Sequence, residues 1–140
     1  MSITEAQENL ITASVVASRQ RMNFLPQMFP GCYLHGEHTV YGLMDSFCQD
    51  YNGAYWEFYT LSNGGFFMAP LTDQEMHIQI DMNMFEGVMS AQAAGVVVSL
   101  YALCIFAERT QNERIIDHYH LLRDFVGSHP ESSKIYQAID

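Results

Sequence analysis

The sequence predicts an α+β fold, with a small antiparallel β-meander packed against several α-helices in one compact domain. Residues 51–70, YNGAYWEFYTLSNGGFFMAP, have the aromatic composition and glycine-containing turn of a β-hairpin. Residues 76–82, MHIQIDM, alternate apolar and polar side chains as a strand with one buried face does. After residue 89 the apolar residues recur at helical spacing. Because the 140 residues contain no repeat or linker, residues 1–140 are expected to form a single domain.

The first 18 residues form a boundary segment whose structure the sequence leaves open. Ser2 and Glu5 have capping-box spacing, whereas ITASVV from Ile11 is rich in the β-branched residues of a strand. Residues 21–31 contain two prolines and a final glycine, which predicts at most a short helical turn. A longer helix is predicted over residues 36–51 from the spacing of its apolar residues, Val40, Leu43, Met44, Phe47 and Cys48.

The aromatic segment is predicted to form a strand over residues 54–61, a turn at 62–65 and a return strand from 66 to 70. Strand parity places Trp56 and Phe58 on one face, which we expect to be core. The opposite face carries Tyr55, Glu57 and Tyr59. A nucleic-acid stacking platform needs neighbouring cations, and this segment has none. A hydrophobic core is therefore favoured, with Tyr55 and Tyr59 as possible protein-contact residues.

The next strand is predicted to bury the apolar side chains of its alternating pattern, Met76, Ile78, Ile80 and Met82. A short strand is possible over residues 84–89. Ser90 is the predicted N-cap of a central helix that reaches Glu108. The uncharged stretch over 88–107 lacks flanking basic clusters, so a buried core helix is favoured over a membrane span.

Two further helices are predicted at the C-terminal end of the chain. Residues 113–126 place Ile115, Ile116, Tyr119, Leu122 and Val126 on one stripe, and Gly127 is a natural stop. Ser128 and Glu131 have the spacing of a capping box that would open a final helix ending near Ile139.

The charge distribution excludes conventional nucleic-acid binding. Sixteen acidic and six basic residues give a net charge of −10, and no Lys or Arg occurs between Arg21 and Arg109. Direct binding to phosphates needs clustered Lys and Arg. The acidic share is ordinary, so a solvated surface is favoured over DNA mimicry, which stays open. An acidic surface also suits a basic protein partner, and the candidate contact residues are Tyr55, Glu57, Tyr59, Asp73, Glu75, Asp81 and Glu86.

No catalytic motif is present, and the sequence predicts neither a cofactor nor a metal site. In DHYH, residues 117–120, the two histidines point about 200° apart on a helix, so a solvated helix with His120 near Asp124 is favoured. Cys32, Cys48 and Cys104 are expected to be reduced and buried, as in a cytoplasmic protein without a signal sequence. An enzyme whose site is assembled from separated residues is the less favoured alternative, and we expect no groove in which His, Cys and acidic side chains converge.

Four segments carry a family resemblance: RMNFLPQMF, YNGAYWEFYTLSNGGFFMAP, FEGVMSAQAAGVVVSLYAL and IIDHYHLLRDF. In this order and spacing they resemble the plasmid-borne antirestriction proteins of the ArdB/KlcA type, over roughly residues 19–140. The resemblance implies a small protein of mobile DNA that relieves type I restriction of incoming unmodified DNA, without a catalytic site or cofactor. It implies a partner in the restriction machinery or an associated host protein, and leaves open whether inhibition is direct or passes through a host factor.

Overall fold

The computed structural model describes residues 10–140, in which five strands and five α-helices form the α+β fold that the sequence predicts. In chain order the elements are β1 Ala13–Val15, α1 Arg21–Met28, α2 Tyr33–Phe47, β2 Trp56–Leu61, β3 Phe66–Pro70, β4 Met76–Ile80, β5 Phe85–Met89, α3 Ala91–Thr110, α4 Glu113–Val126 and α5 Ser132–Ile139. The strands form two antiparallel sheets, β1-β2-β3 and β4-β5. The exposed segment 71–75 separates the sheets.

Helix α3 lies at the centre of the domain. Its N-cap is Ser90, as predicted, and the Ser90 side chain accepts a hydrogen bond from the backbone N–H of Ala93 at 3.1 Å. The helix is long and apolar enough to cross a membrane, but 67% of its most apolar window is buried inside the domain. The predicted buried central helix is thus confirmed.

Helix α3 also covers the outer edge of β3. The Ser99 hydroxyl accepts a hydrogen bond from the Met68 N–H at 3.2 Å and contacts the Met68 carbonyl at 3.3 Å. A Cβ atom on Gly95 would lie 2.3 Å from the Cβ of Ala69, so only glycine allows the helix to approach the strand this closely. The β3 edge is therefore closed to pairing with another strand.

One face of the three-stranded sheet packs against α1 and α2, as the strand parity predicts. Trp56 and Phe58 are 4% and 5% exposed. Phe58 stacks on Phe24 of α1 with ring centroids 4.4 Å apart, and Trp56 meets Tyr41 of α2 edge to face at 5.2 Å. These contacts confirm Trp56 and Phe58 as core residues.

The opposite face of this sheet is more covered than the sequence suggests. Tyr59 stacks on the buried Phe67 with ring centroids 4.5 Å apart, and Phe67 stacks in turn on Phe125 of α4 at 5.6 Å. Tyr59 is consequently half-buried, whereas Tyr55, before the strand begins, is 60% exposed. Alternation along one strand could not reveal that α4 covers the second face.

The structure corrects two expectations in the N-terminal half of the chain. Residues 21–28 form a two-turn helix that contains Pro26, although an interior proline costs about 3 kcal/mol in an isolated helix. Burial of Phe24 and Met28 in the core offsets this cost. The helix predicted over 36–51 occupies Tyr33–Phe47 instead. The segment that begins at Ile11 contains strand β1, in agreement with the strand alternative for these residues. Ser2 and Glu5 lie outside the described residues.

The second hairpin confirms most of the alternating pattern and corrects its last residue. Met76, Ile78 and Ile80 are buried, and residues 85–89 form the possible short strand. Met82 was expected on the buried face but is 81% exposed. Residues 81–83 leave the strand as a 3₁₀ turn, so the period of two no longer applies there.

The C-terminal helices are present, but the predicted capping box is wrong. Helix α4 spans the predicted residues and ends at Val126, with Gly127 as its C-cap. Helix α5 begins at Ser132, after the predicted start. The Ser128 hydroxyl accepts a hydrogen bond from Ile11 N–H at 3.0 Å, and the Glu131 carboxylate binds Ser90. Both side chains make tertiary contacts instead of capping α5.

Candidate protein-contact surface

The segment between the two sheets forms an exposed acidic ridge, which we define as residues 71–75, LTDQE. Its backbone is held at the start, where the Leu71 N–H donates to the Tyr55 carbonyl at 2.7 Å. Within it, Gln74 N–H donates to the Thr72 hydroxyl at 3.2 Å. The ridge presents two carboxylates and an apolar side chain, since Leu71 is 55% exposed.

A groove lies on each side of the acidic ridge, and both grooves include ridge residues in their walls. The first, about 480 Å³, lies between residues 50–55 and the start of β4, and its lining includes Tyr55 and His77. The second, about 460 Å³, lies towards the start of α3, and its lining includes Tyr59 and Glu131. A partner that binds the ridge would therefore contact two concave surfaces at the same time.

A hydrogen-bond network underlies the second groove. Glu131 accepts hydrogen bonds from the N–H of Ser90 at 2.9 Å and from its hydroxyl. The Glu131 N–H donates to Nδ1 of His129 at 3.0 Å, and Nε2 of His129 contacts Oε1 of Gln92 at 2.9 Å. Because Nδ1 accepts, His129 is neutral and Nε2 carries the proton. The network fixes the groove wall where α3 and α5 begin.

Burial and hydrogen bonding set the charges in this network. Burial lowers the pKa of His129, which keeps the ring neutral, against a smaller opposing effect of Glu131. For Glu131, burial acts to raise the pKa, but the hydrogen bonds from Ser90, together with neighbouring charges such as that of Lys134, hold the pKa below its usual value. The wall of the second groove therefore carries a fixed negative charge.

A smaller groove of about 120 Å³ extends the surface from the first groove along β4. Asp50 and His77 line both grooves, and Asp81 lines the far end of the smaller one. On the outer face of this hairpin, Nε2 of His77 lies 2.8 Å from a carboxylate oxygen of Glu86, and both side chains are at least half exposed. One continuous surface thus runs from the acidic ridge to the turn between β4 and β5.

The structure brings together most of the contact residues predicted from the sequence. Tyr55, Tyr59, Asp73 and Glu75 line the two large grooves. Asp81 lies at the end of the second hairpin and Glu86 on its outer face. Glu57 lies on β2 opposite Ala69 and lines none of these grooves. Sequence reasoning missed three exposed apolar residues, Leu71, Met82 and Met84. The available signal was their position in turns, where polar residues are usual.

Basic side chains do little to neutralise this surface. Residues 22–108 contain no Lys or Arg, so a cation must come from elsewhere in the chain. Arg21 donates to the Trp56 carbonyl at 3.0 Å and lies over the Tyr55 ring, with Cζ 4.7 Å from its centroid. Lys134 donates to the Val88 carbonyl at 2.6 Å. Both cations bind neutral backbone oxygens and keep their charge, but they are outnumbered by the carboxylates along this surface, those of Asp50, Asp73, Glu75, Asp81, Glu86 and Glu131. The surface is therefore predominantly negative.

The first groove contains the residue types that an enzyme would need, contrary to the expectation that no such groove exists. Its lining includes Cys48, Asp50, Glu75 and His77. Cys48 is only 3% exposed, however, and no hydrogen bond joins it to His77, whose partner is Glu86. A nucleophile and base at hydrogen-bond distance are therefore not found in this groove.

The other reactive side chains are dispersed over the described part of the chain. Cys32 is half-buried and Cys104 is exposed, so the prediction that all three cysteines are buried was wrong. His118 is buried and its Nδ1 contacts the Met28 carbonyl at 3.0 Å, whereas His120 is exposed. Over residues 10–140, no three His, Cys, Asp or Glu side chains are grouped as metal ligands.

Comparison with known proteins gives a consistent result for sequence and structure. A family model described as antirestriction protein matches residues 49–140. The antirestriction protein KlcA of Escherichia coli is 45% identical over 139 residues, covering 96% of this chain and 98% of KlcA. The uncharacterized protein YafX of Escherichia coli K12 is 39% identical, covering 93% and 88%.

The fold is also similar to a solved structure. That structure belongs to work on the KlcA and ArdB proteins, which are described as having a novel fold and antirestriction activity against type I DNA restriction systems in vivo but not in vitro. Its TM-score to this chain is 0.86, with 44% sequence identity and complete coverage of both chains. The sequence resemblance and the fold therefore agree.

Proposed function

Because the chain belongs to the antirestriction protein family, we propose that it relieves type I restriction of incoming unmodified DNA by binding a protein in the cytoplasm, without catalysis. The observation that carries this proposal is the acidic ridge with its two grooves, since a concave, predominantly negative surface suits a basic protein partner. In the first groove, the burial of Cys48 and the pairing of His77 with Glu86 support a binding role over an enzymatic one.

We prefer a mechanism in which the chain relieves restriction through a component that is present in cells. The similar KlcA and ArdB proteins are described as active in vivo but not in vitro. A protein that blocks the restriction enzyme directly is expected to act on the purified enzyme as well. For this chain we therefore propose a partner that is present in cells, either an associated host protein or a restriction assembly that exists only there.

The proposal is tested by plating unmodified phage on a host with a type I restriction system and on an isogenic host without it. Expression of this chain should raise plating on the restricting host and leave plating on the other host unchanged. Equal plating with and without the chain in several type I hosts would refute the proposal.

The role of the acidic ridge is tested with a charge-neutralising variant and a matched control. Asp73→Asn combined with Glu75→Gln should lower restriction relief, because it removes the two ridge carboxylates from an exposed segment with little effect on folding. The control, Glu108→Gln with Asp124→Asn, removes two exposed carboxylates from α3 and α4. Equal relief by both variants at matched protein levels would exclude the ridge as the contact site.

The enzyme alternative makes a different prediction. If the first groove were catalytic, Cys48→Ser or His77→Gln would abolish restriction relief even at raised protein levels. The binding proposal expects Cys48→Ser to retain relief once its level in the cell matches that of the parent, because the buried thiol cannot reach a partner. Immunoblotting in the same cultures separates loss of protein from loss of activity.

A further inference from the structure

We infer that the turn of the β4-β5 hairpin is the apolar anchor of the partner-binding surface and inserts Met82 and Met84 into an apolar pocket of a protein whose pocket rim is basic. This inference rests on the proposed function and adds the site where the partner is held. Met82 is 81% exposed and Met84 is 91% exposed. We call this pair the methionine tip.

The backbone at the methionine tip favours a different residue from the one it carries. Met84 has φ of 59° and ψ of 30°, the left-handed conformation that glycine and asparagine adopt most easily. In the turn of the other hairpin, the residue with a positive φ is Gly64, and glycine is the usual residue for that conformation. A strained and exposed methionine contributes little to the fold, and such outliers often mark functional positions.

The turn is held firmly by the residue between the two methionines. The Asn83 side-chain amide donates to the Tyr101 hydroxyl at 3.1 Å and to the Ala138 carbonyl, and its Oδ1 accepts from the Phe85 N–H at 3.2 Å. These bonds fix the turn to α3 and to the end of α5. The two methionines are thus presented outward on an anchored loop, which lowers the entropic cost of binding.

The methionine tip is continuous with the acidic ridge. The five residues of β4 run from the ridge to the turn, roughly 17 Å at the rise of a β-strand. The first groove and the smaller groove lie along this path and share Asp50 and His77. This distance falls within a single protein interface of ordinary size, so one partner can contact both ends.

The charges around the methionine tip select the kind of partner. Asp81 adjoins Met82, and Glu86 lies on the outer face of β5. An anionic membrane would repel these carboxylates, and a second copy of this chain would bring its own carboxylates against them. Unbranched methionine side chains fill irregular apolar pockets well. The complementary surface is therefore an apolar pocket bordered by Lys or Arg.

The test uses a double variant, Met82→Gln with Met84→Asn, and a control, Met22→Gln, which alters a methionine that is 90% exposed on α1. The double variant should melt at or above the parental temperature, because asparagine tolerates the left-handed backbone. Its restriction relief in cells should nevertheless fall at least about tenfold, as for truncation of interface anchors. Met22→Gln should match the parent in both measurements.

The outcomes distinguish this inference from the proposed function. Full relief by the double variant, with relief by the parent intact, overturns the methionine tip and leaves the proposed function standing. Absence of relief by the parent would refute the proposed function, and with it the inference that rests on it. If the double variant melts below the parent, Met82→Gln alone applies the same test in a turn residue with ordinary φ.

Two biophysical measurements exclude the other occupants. Light scattering should show the same mass for the parent and the double variant; a parental dimer that dissociates in the variant would identify a second copy and overturn the inference. Flotation with phosphatidylcholine vesicles should recover neither protein. Vesicle binding by the parent that the double variant loses would identify a lipid surface instead and also overturn it.

Discussion

The two β-hairpins of this protein have similarly anchored turns but expose different side chains. In the first, β2-β3, the turn places Gly64 at φ 93°, and Asn63 donates to the Leu121 carbonyl of α4 at 2.9 Å. In the second, β4-β5, the turn places Met84 at φ 59°, and Asn83 bonds to α3 and α5. Both turns are anchored by asparagine, but only the second presents large apolar side chains outward.

The difference shows that the most conspicuous sequence is largely buried, while the exposed apolar side chains lie in the less conspicuous hairpin. The first hairpin is richest in aromatic residues, and most of these contribute to the core between α1, α2 and α4. The second hairpin has ordinary alternation, yet its outer face and turn are exposed. We therefore expect substitutions in the first hairpin to affect mainly stability and those in the second to affect mainly partner binding.

The largest expected effect is loss of the aromatic core of the first hairpin. Trp56→Ala or Phe58→Ala should cost about 3 to 5 kcal/mol of unfolding free energy, because each removes a buried aromatic ring. Tyr55→Ala should cost about 1 kcal/mol or less, since its ring is exposed and contacts Arg21 by a cation–π interaction. Urea unfolding measures all three. Equal losses at positions 55 and 56 would contradict the assigned strand parity.

The next effect concerns the closed edge of the first hairpin. Gly95→Ala should cost about 1 to 3 kcal/mol by overpacking, because its Cβ would lie 2.3 Å from that of Ala69. Gly42→Ala on α2 is the matched control, since a Cβ there meets nothing within 4 Å. It should stabilise the helix by about 0.5 to 1 kcal/mol. Thermal melting that showed no difference between these variants would mean that α3 does not seal the β3 edge as described.

A smaller effect should appear as a pH dependence of protein stability, because two buried histidines pack against aromatic residues at the first hairpin. His118 packs against Phe66, and His129 packs against Phe125, which covers Phe67. Burial lowers the pKa of both histidines in the folded protein. The unfolded chain therefore binds more protons at mildly acidic pH, and stability should decrease as the pH falls through about 6.5.

This pH dependence is measured as the urea midpoint at pH 7.5 and pH 5.5. His129→Asn, whose Oδ1 can accept the Glu131 N–H in place of Nδ1, should reduce the loss of stability between the two pH values. His35→Asn, at an exposed position on α2, is the control and should leave the loss unchanged. An unaltered pH dependence in the His129 variant would show that this histidine is not protonated on unfolding in the expected range.

Sequence alone was sufficient for the parts of the fold that depend on local pattern. The first hairpin, the buried side of β4, the Ser90 cap and α4 follow from alternation, turn residues and helical spacing. Pro26 within α1 and the tertiary use of Ser128 and Glu131 could not be predicted, because long-range contacts override the local preference in each case. The division of the strands into two sheets likewise depends on the separation made by the acidic ridge.

The proposed contact surface was predictable in composition but not in arrangement. The missing basic residues over 22–108 indicated a negative surface, and Tyr55, Tyr59, Asp73 and Glu75 do line its grooves. The exposure of Met82 and Met84 depends on a 3₁₀ turn that interrupts the alternating pattern. Met82 continued the alternating pattern and was therefore expected in the core, and Met84 fell in the possible short strand over residues 84–89, so neither position was identified.

Site-specific photocrosslinking in cells is the most direct test that the second hairpin and the ridge form one partner-binding surface. A photoreactive amino acid would replace Leu71 on the ridge, Met82 at the tip or, as a control, Leu34, which is 64% exposed near the start of α2. We predict that positions 71 and 82 crosslink to the same protein in a restricting host and that position 34 does not. Unless this protein is itself a subunit of the restriction enzyme, its deletion should abolish restriction relief. Crosslinks to that protein from position 34 alone, or relief that persists after its deletion, would contradict the account.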